Sequence, residues 1–260
     1  MTAEESDSNV EARALIASAN TLLRELVEEG VCEVSKSAQS MAEPLRPVPE
    51  SAKPAPQVMA QTVDSKIEIV PWGDRRPRLE EVKNHLGDCR RCGLCEGRQS
   101  IVFGDGNPNA KLMFIGEGPG EQEDLRGLPF VGRAGELLTQ MIEKGIGLSR
   151  SEVYICNIIK CRPPRNRNPL PPEISACRPF LDGQISAIAP KVIVTLGKPA
   201  ASLLLDREVA ITKIRGTWQS YRGIPLMPTL HPAYVLRQYT TETRRAVWQD
   251  LQAAMERANQ

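Results

Sequence analysis

Hydrophobic and polar positions divide the chain into two regimes. Over residues 8–30 the apolar residues Leu15, Ile16, Ala19, Leu22, Leu23, Leu26 and Val27 fall on one helical stripe. Ser8 and Glu11 form a capping-box pair ahead of it and Gly30 suits its end, so this segment is predicted to be one amphipathic helix. Residues 31–78 then lose all periodicity. They are rich in Ser, Ala, Gln and Pro, as in "AEPLRPVPESAKPAPQ", and hold too little apolar surface to offset the entropy of ordering. The expected organisation is a helix within residues 1–30, a flexible linker over 31–78 and a folded domain over 79–260.

From Leu79 onward strands and helices alternate. "KLMFIGE", "EVYICNIIKC", "KVIVTLG" and "IPLMPTLHP" read as strands. Between and after them, "GRAGELLTQMIEKGIG", a segment from about Pro172 to Ala189, "PAASLLL" and "TRRAVWQDLQAAMERA" read as helices. Such alternation predicts the α/β class: a three-layer α/β/α domain around a central, mostly parallel, four-stranded sheet.

Composition refines this picture in two places. No apolar run approaches the roughly 20 residues of a membrane span, and "MTAEESDSNV" lacks a secretory pattern, so a cytoplasmic protein without membrane attachment is expected. The net charge of +1 hides an asymmetry. Residues 1–78 carry 9 basic and 13 acidic side chains, whereas residues 79–260 carry 24 and 19. A basic domain behind an acidic leader suits a polyanionic partner. The apolar stripe of residues 8–30 could dock a protein partner or lie on its own domain, and the domain itself is expected to be monomeric.

Ligands of open α/β sheets bind beyond the carboxyl ends of the strands. Those ends carry "GEGPGEQED", "CNIIKC", "TLGKPAA" and "TLHPAY", which bring Glu117, Asn157 and His231 to one rim. A carboxylate, an amide and an imidazole converging there make a plausible active site. The glycine segment is not a dinucleotide fingerprint: Glu121 occupies the place of the last glycine, and Glu117, Glu123 and Asp124 would repel a pyrophosphate. Its glycines instead allow a tight turn against a flat ligand. With only 11 aromatic residues in the chain, a sugar-binding cleft is disfavoured.

Cysteines supply the other chemistry. Seven thiols in a reducing compartment, clustered in "CRRCGLCEGRQ" and again around "CRPPRNRNPLPPEISAC", suggest metal ligands before disulfides. Cys89, Cys92, Cys161 and Cys177 would suit tetrahedral zinc or a [4Fe–4S] cluster, with Cys95 and Cys156 as competitors on spacing alone. Cys156 alternates with strand neighbours and is expected to be buried.

Three long motifs then become specific. "FGDGNPNAKLMFIGEGPGEQEDLRGLPFVGRAGELL", "NIIKCRPPRNRNPLPPE" and "TLHPAYVLR", in this order, resemble the family 4 uracil-DNA glycosylases of the uracil-DNA glycosylase superfamily. The resemblance runs from about Leu79 to the C-terminus. It implies an α/β/α fold, base excision repair of uracil-containing DNA, and a [4Fe–4S] cluster on Cys89, Cys92, Cys161 and Cys177. It further implies that Glu117 and His231 are catalytic and that Gly118, Glu123, Phe130 and Asn157 surround the base. A contact locking the Asn157 amide is expected, because a rotated amide would meet cytosine equally well. Bulk at Glu123 or around Gly118 is expected to refuse the thymine methyl. DNA phosphates are expected to meet Arg162, Arg165, Arg167 and Arg237, together with Arg90, Arg91 and Arg98, while Leu236 or a neighbour fills the vacated stack. The basic insert of relatives that bond covalently to the abasic sugar is not seen after the glycine motif.

Overall fold

The computed structural model describes residues 75–260. The helix expected within residues 8–30 and almost all of the linker lie outside the described residues. Helix α1 (Leu79–Leu86) opens the described fold, followed by a 3₁₀ turn at Gly93–Cys95. Strand β1 (Asp105–Gly106) precedes β2 (Leu112–Gly116), then α2 (Glu121–Arg126) and α3 (Arg133–Gln140). Helix α3 widens into a π-helical stretch over Met141–Ile146. Strand β3 (Tyr154–Asn157) leads through a 3₁₀ turn at Pro164–Asn166 into α4 (Pro171–Ile188). Then come β4 (Val192–Leu196), α5 (Lys198–Leu204), α6 (Ile211–Ile214), β5 (Gln219–Tyr221) and β6 (Ile224–Thr229). The fold closes with α7 (Pro232–Arg237) and α8 (Thr241–Asn259). Among the described residues no helix is long and apolar enough to cross a membrane.

The sheet order is β1-β3-β2-β4-β6-β5. The four expected strands are its parallel centre, β3-β2-β4-β6. Two short antiparallel edges, β1 and β5, extend it to six strands. Both are two or three residues long, too short to leave a periodic signal in the sequence.

Strand residues alternate between two cores. Leu112, Phe114, Val192, Val194 and Met227 face Leu137, Leu138, Ile142, Val247 and Leu251 of α3, its π-helical extension and α8. Met113, Ile115, Ile193 and Leu226 face Leu181, Ile185 and Ile188 of α4, with Ala200 and Leu204 of α5. This two-sided burial makes the central strands apolar throughout, as parallel strands covered on both faces require. A smaller cluster seats α1: Val82, Leu86 and Cys89 pack on Phe103 and Phe180.

After β2 the chain goes to β3 on one side and later to β4 on the other. The carboxyl ends of these strands therefore diverge into a crevice at the switch point.

Candidate active site

Parallel register sets the floor of that crevice. Gly116 at the end of β2 lies opposite Asn157 at the end of β3, and Leu196 of β4 lies opposite Thr229 of β6. Glu117 follows Gly116 directly, and His231 lies two residues beyond Thr229. A cavity of about 480 Å³ opens there, lined by Glu117, Gly118, Glu123, Phe130, Asn157 and His231. All six residues expected to hold or transform a base thus share one wall. Arg167 and Arg237 stand at the same cavity.

Two glycines make this convergence sterically possible. A Cβ on Gly116 would lie 2.4 Å from Phe130 Cζ and 2.5 Å from Asn157 Oδ1, far inside contact distance. Gly197 has φ +88°, and a Cβ there would lie 3.0 Å from the Cβ of His231. Side chains at either position would displace the residues that matter.

Asn157 is 1% exposed, and its Oδ1 has no hydrogen-bond partner. A buried, unsatisfied carbonyl oxygen costs about 1–3 kcal/mol, and such atoms call for an explanation. The lock expected on this amide is therefore not a hydrogen bond to its oxygen. What the geometry gives this amide is close packing: its Oδ1 and the Phe130 ring both press on the bare Cα of Gly116.

Phe130 has φ +51°, an uncommon conformation for a bulky residue. Several contacts over-determine it. Glu123 Oε1 accepts from the N–H groups of Val131 (2.8 Å) and Gly132 (2.9 Å), and Oε2 accepts from Gly120 N–H at 3.1 Å. Arg150 donates to the carbonyl of Pro129 and to Thr139 Oγ1. The absent Cβ of Gly135 lets α3 press on the Phe130 carbonyl. Glu123 is thus a clasp holding the two cavity loops together as well as part of the wall. Gly118 packs on Ile159, where a Cβ would lie 2.8 Å from Cγ1.

His231 caps α7. Its Nδ1 accepts from the N–H of Ala233 at 3.1 Å, so in the neutral ring the proton resides on Nε2, available to donate. Burial, aided by Arg237, depresses its pKa to about 4, which keeps the imidazole neutral near pH 7. Its ring lies 5.8 Å from that of Phe130, tilted by 35°. Burial raises the pKa of Glu117 above the usual carboxylate value.

The other acids of the glycine segment point elsewhere. Asp124 is buried and accepts from the N–H groups of Gln99 (2.9 Å) and Ser100 (3.2 Å), tying α2 to the cysteine-bearing segment. Glu121 lies 3.8 Å from Arg162.

The basic residues divide into two groups. Arg98 is not a surface contact for phosphate: its side chain is 8% exposed. It donates to the carbonyl of Cys89 (2.5 Å), to Cys161 Sγ (3.6 Å) and to Asp88 (2.5 Å). Sequence position could not distinguish this buried cross-brace from its exposed neighbours. Arg91 is also turned inward, over the Phe180 ring at 5.0 Å, and bonds the carbonyls of His85 and Leu86. Arg167 is shared with Glu173 through two bonds of 2.6 and 2.9 Å. Arg162 bonds Asn166 at 2.8 Å, and Arg90 bonds Asp88. Arg165 and Arg237 are exposed. Leu236 is partly buried against the core, whereas Tyr234 and Tyr239 on the same stretch are 38% and 57% exposed.

Residues 103–252 match the model of the uracil DNA glycosylase superfamily. The chain belongs to that superfamily. Over 184 residues it is 46% identical to a type-4 uracil-DNA glycosylase of Thermotoga maritima, covering 69% of this chain and 94% of that protein. Type-4 enzymes of Sulfurisphaera tokodaii (44% over 188 residues) and Saccharolobus solfataricus (43% over 186) are similar across 84% and 85% of their lengths, and 69% and 68% of this chain. These matches fall in line with the six-stranded α/β/α fold, and the superfamily's members set the context for the crevice above the strand ends.

Two contributors carried no signal strong enough to be singled out in the sequence. Arg150 acts from 21 residues beyond Pro129, and Lys160 is wholly buried beside the site.

Proposed function

We propose that this protein removes uracil from DNA by hydrolysing its N-glycosidic bond, and that the cavity above β2, β3 and β6 receives the everted base. The unpartnered Oδ1 of Asn157 carries this reading. Uracil presents an N3–H donor beside the O4 acceptor, and an amide can meet both, satisfying the orphan oxygen. A base inside a duplex is out of reach, so the nucleotide has to be extruded. Phe130 stacks on it, and the rigid wall at Glu123 and Gly118 refuses a methyl at C5.

Bond cleavage leaves negative charge on uracil O2. The Nε2–H of neutral His231 stabilises that charge, and a preorganised donor of this kind contributes about 2.7–4 kcal/mol. Glu117, once ionised, offsets the positive charge developing on the sugar and orients the attacking water. The segment after His231, with Tyr234, Leu236 and Arg237, takes the space of the extruded base. Arg162, Arg165, Arg167 and Arg237 meet phosphates, with Arg167 bound to its carboxylate partner as well. In this organisation residues 79–260 form the catalytic domain, acting as a monomer in the cytoplasm. The helix and linker ahead of it offer a tether or a docking segment for a protein partner.

We further propose a [4Fe–4S] cluster on Cys89, Cys92, Cys161 and Cys177, whose chemistry is the binding of thiolates that tie distant segments together. The thiol environment supports it. Cys161 interacts with Cys92 and Cys89, and Cys177 with Cys161 and Cys92, which links all four thiols, while Cys95 interacts with Cys92 alone among them. Burial pushes Cys161 and Cys177 up to about 11 and 12, thiols that a metal would deprotonate on binding. The N–H donors from Arg98 and from the Lys160 main chain, aimed at Cys161 and Cys177, are suited to anionic sulfur.

Base release tests the proposal. Strands with one uracil should yield free uracil and an abasic product, and thymine or cytosine strands should not. His231→Ala and Asn157→Ala should each slow release by about 10²-fold or more. Wild-type rates in both variants would overturn it.

A further inference from the structure

A wholly buried lysine lies between the uracil-binding strand end and the cysteine-bearing helix. Lys160 is 0% exposed, and its Nζ donates to the main-chain carbonyl of Asn157 at 2.7 Å and to Gln184 Oε1 at 2.6 Å. Gln184 is equally buried. Its Nε2 donates to the carbonyl of Phe103 at 2.8 Å and to Tyr154 Oη at 3.1 Å. Both ends of the glutamine amide are therefore engaged, and the chain of bonds runs unbroken from Asn157 into α4. Gln184 sits about two turns beyond Cys177 on that helix.

Filling space does not explain an amine here. Methionine has similar length and packs without desolvation cost, whereas burying an ammonium costs several kcal/mol. The bonds it makes are the reason to keep it. Asn157 ends β3, and beyond it Ile158 N–H still donates to the Gly116 carbonyl at 2.9 Å and Ile159 N–H to that of Glu117 at 3.3 Å before the loop that begins at Cys161. The Asn157–Ile158 peptide is thus held to β2 through its N–H alone, and Lys160 holds its carbonyl side, so that the plane carrying the Asn157 side chain is fixed from both edges. Close packing at Gly116 and Phe130 acts on the side chain alone.

We propose that Lys160 is a positioning residue for base recognition: through Gln184 it fixes the main chain of Asn157 to α4, so that the Asn157 amide meets the base edge in one orientation. The proposal rests on the reading of Asn157 as the uracil contact. Lys160 itself touches no part of the base.

The test is a double-mutant cycle in the full-length, cluster-loaded protein, with Lys160→Met, Asn157→Ala and the combination. Single-turnover kcat/KM for uracil release is measured for all four forms, and the affinity for free uracil by calorimetry for wild type and Lys160→Met. Lys160→Met should lower kcat/KM and uracil affinity by about 10- to 100-fold in the wild-type background, as expected of a misplaced contact, and by under about twofold when Asn157 is already alanine. Equal losses in both backgrounds, or no loss in either, would overturn the proposal. An Asn157→Ala variant with unimpaired release would instead sink the reading of the site itself. Should Lys160→Met fail to fold, Gln184→Leu removes only the far anchor and should give the same non-additive pattern at smaller size. Iron content and thermal melting accompany each variant to confirm loading and folding.

Discussion

Gly116→Ala isolates the geometric basis of the site, because it adds one methyl group and no chemistry. The new Cβ would lie 2.4 Å from Phe130 Cζ and 2.5 Å from Asn157 Oδ1. Ordinary carbon contacts are 3.5–4.0 Å, so the ring must retreat by somewhat more than about 1 Å, and the amide by slightly less. Neither has an easy route. The Phe130 backbone is pinned by Glu123, Arg150 and the α3 contact at Gly135, and Asn157 sits in the sheet ladder opposite Gly116 itself. Overpacking of this kind costs about 1–3 kcal/mol, which for a domain of this size lowers Tm by about 3–10 °C. A 1 Å misplacement at a reacting centre costs about 10²-fold, so single-turnover uracil release should fall by about two orders of magnitude while the protein stays folded at assay temperature. The melting loss should shrink when Phe130→Ala is added, since half of the clash is then gone. A Gly116→Ala protein with wild-type release and melting would refute the claim that this glycine admits both side chains.

Acidity gives a second expectation. Burial raises the Glu117 pKa, so activity should fall on the acid side with a midpoint above the ordinary carboxylate value of 4.5, and Glu117→Gln should remove that limb. His231, depressed to about 4, should add no limb between pH 5 and 9 in a pH–rate profile. The same burial gives the folded state the higher carboxyl pKa, so ionised Glu117 weighs against folding at pH 7, and Glu117→Gln should raise Tm there. For DNA binding, Arg165→Ala should lower the slope of log affinity against log salt by about one, whereas Arg98→Met should leave the slope unchanged and lower Tm. Among the cysteines, Cys177→Ala should lose bound iron and its visible absorption, and Cys95→Ser should keep both.

The central strands were legible because parallel strands buried on both faces make continuous apolar runs, and four helices because of their periodic apolar faces, whereas the short helices Leu79–Leu86, Glu121–Arg126, Ile211–Ile214 and Pro232–Arg237 were not read from the sequence. The edge strands were not, since β1 and β5 hold too few residues to show a period. Glu117, Asn157 and His231 could be placed at one rim from the rule that ligands sit beyond the carboxyl ends, and their common cavity follows from the register of β2 with β3 and β4 with β6. What escaped was the use made of charge. Arg98, Arg91 and Arg165 look alike in sequence, yet two turn inward, because only tertiary packing decides which guanidinium meets a carbonyl or an aromatic ring. Glu123 likewise serves three main-chain N–H groups from two loops, a role set by loop geometry that no spacing encodes.

The most direct measurement is a crystal structure of the protein with uracil bound. A uracil ring should lie on Phe130, its N3 about 2.7–3.2 Å from Asn157 Oδ1 and its O2 within reach of His231 Nε2. A ring bound elsewhere, or in this cavity with the Asn157 oxygen still unpartnered, would contradict it.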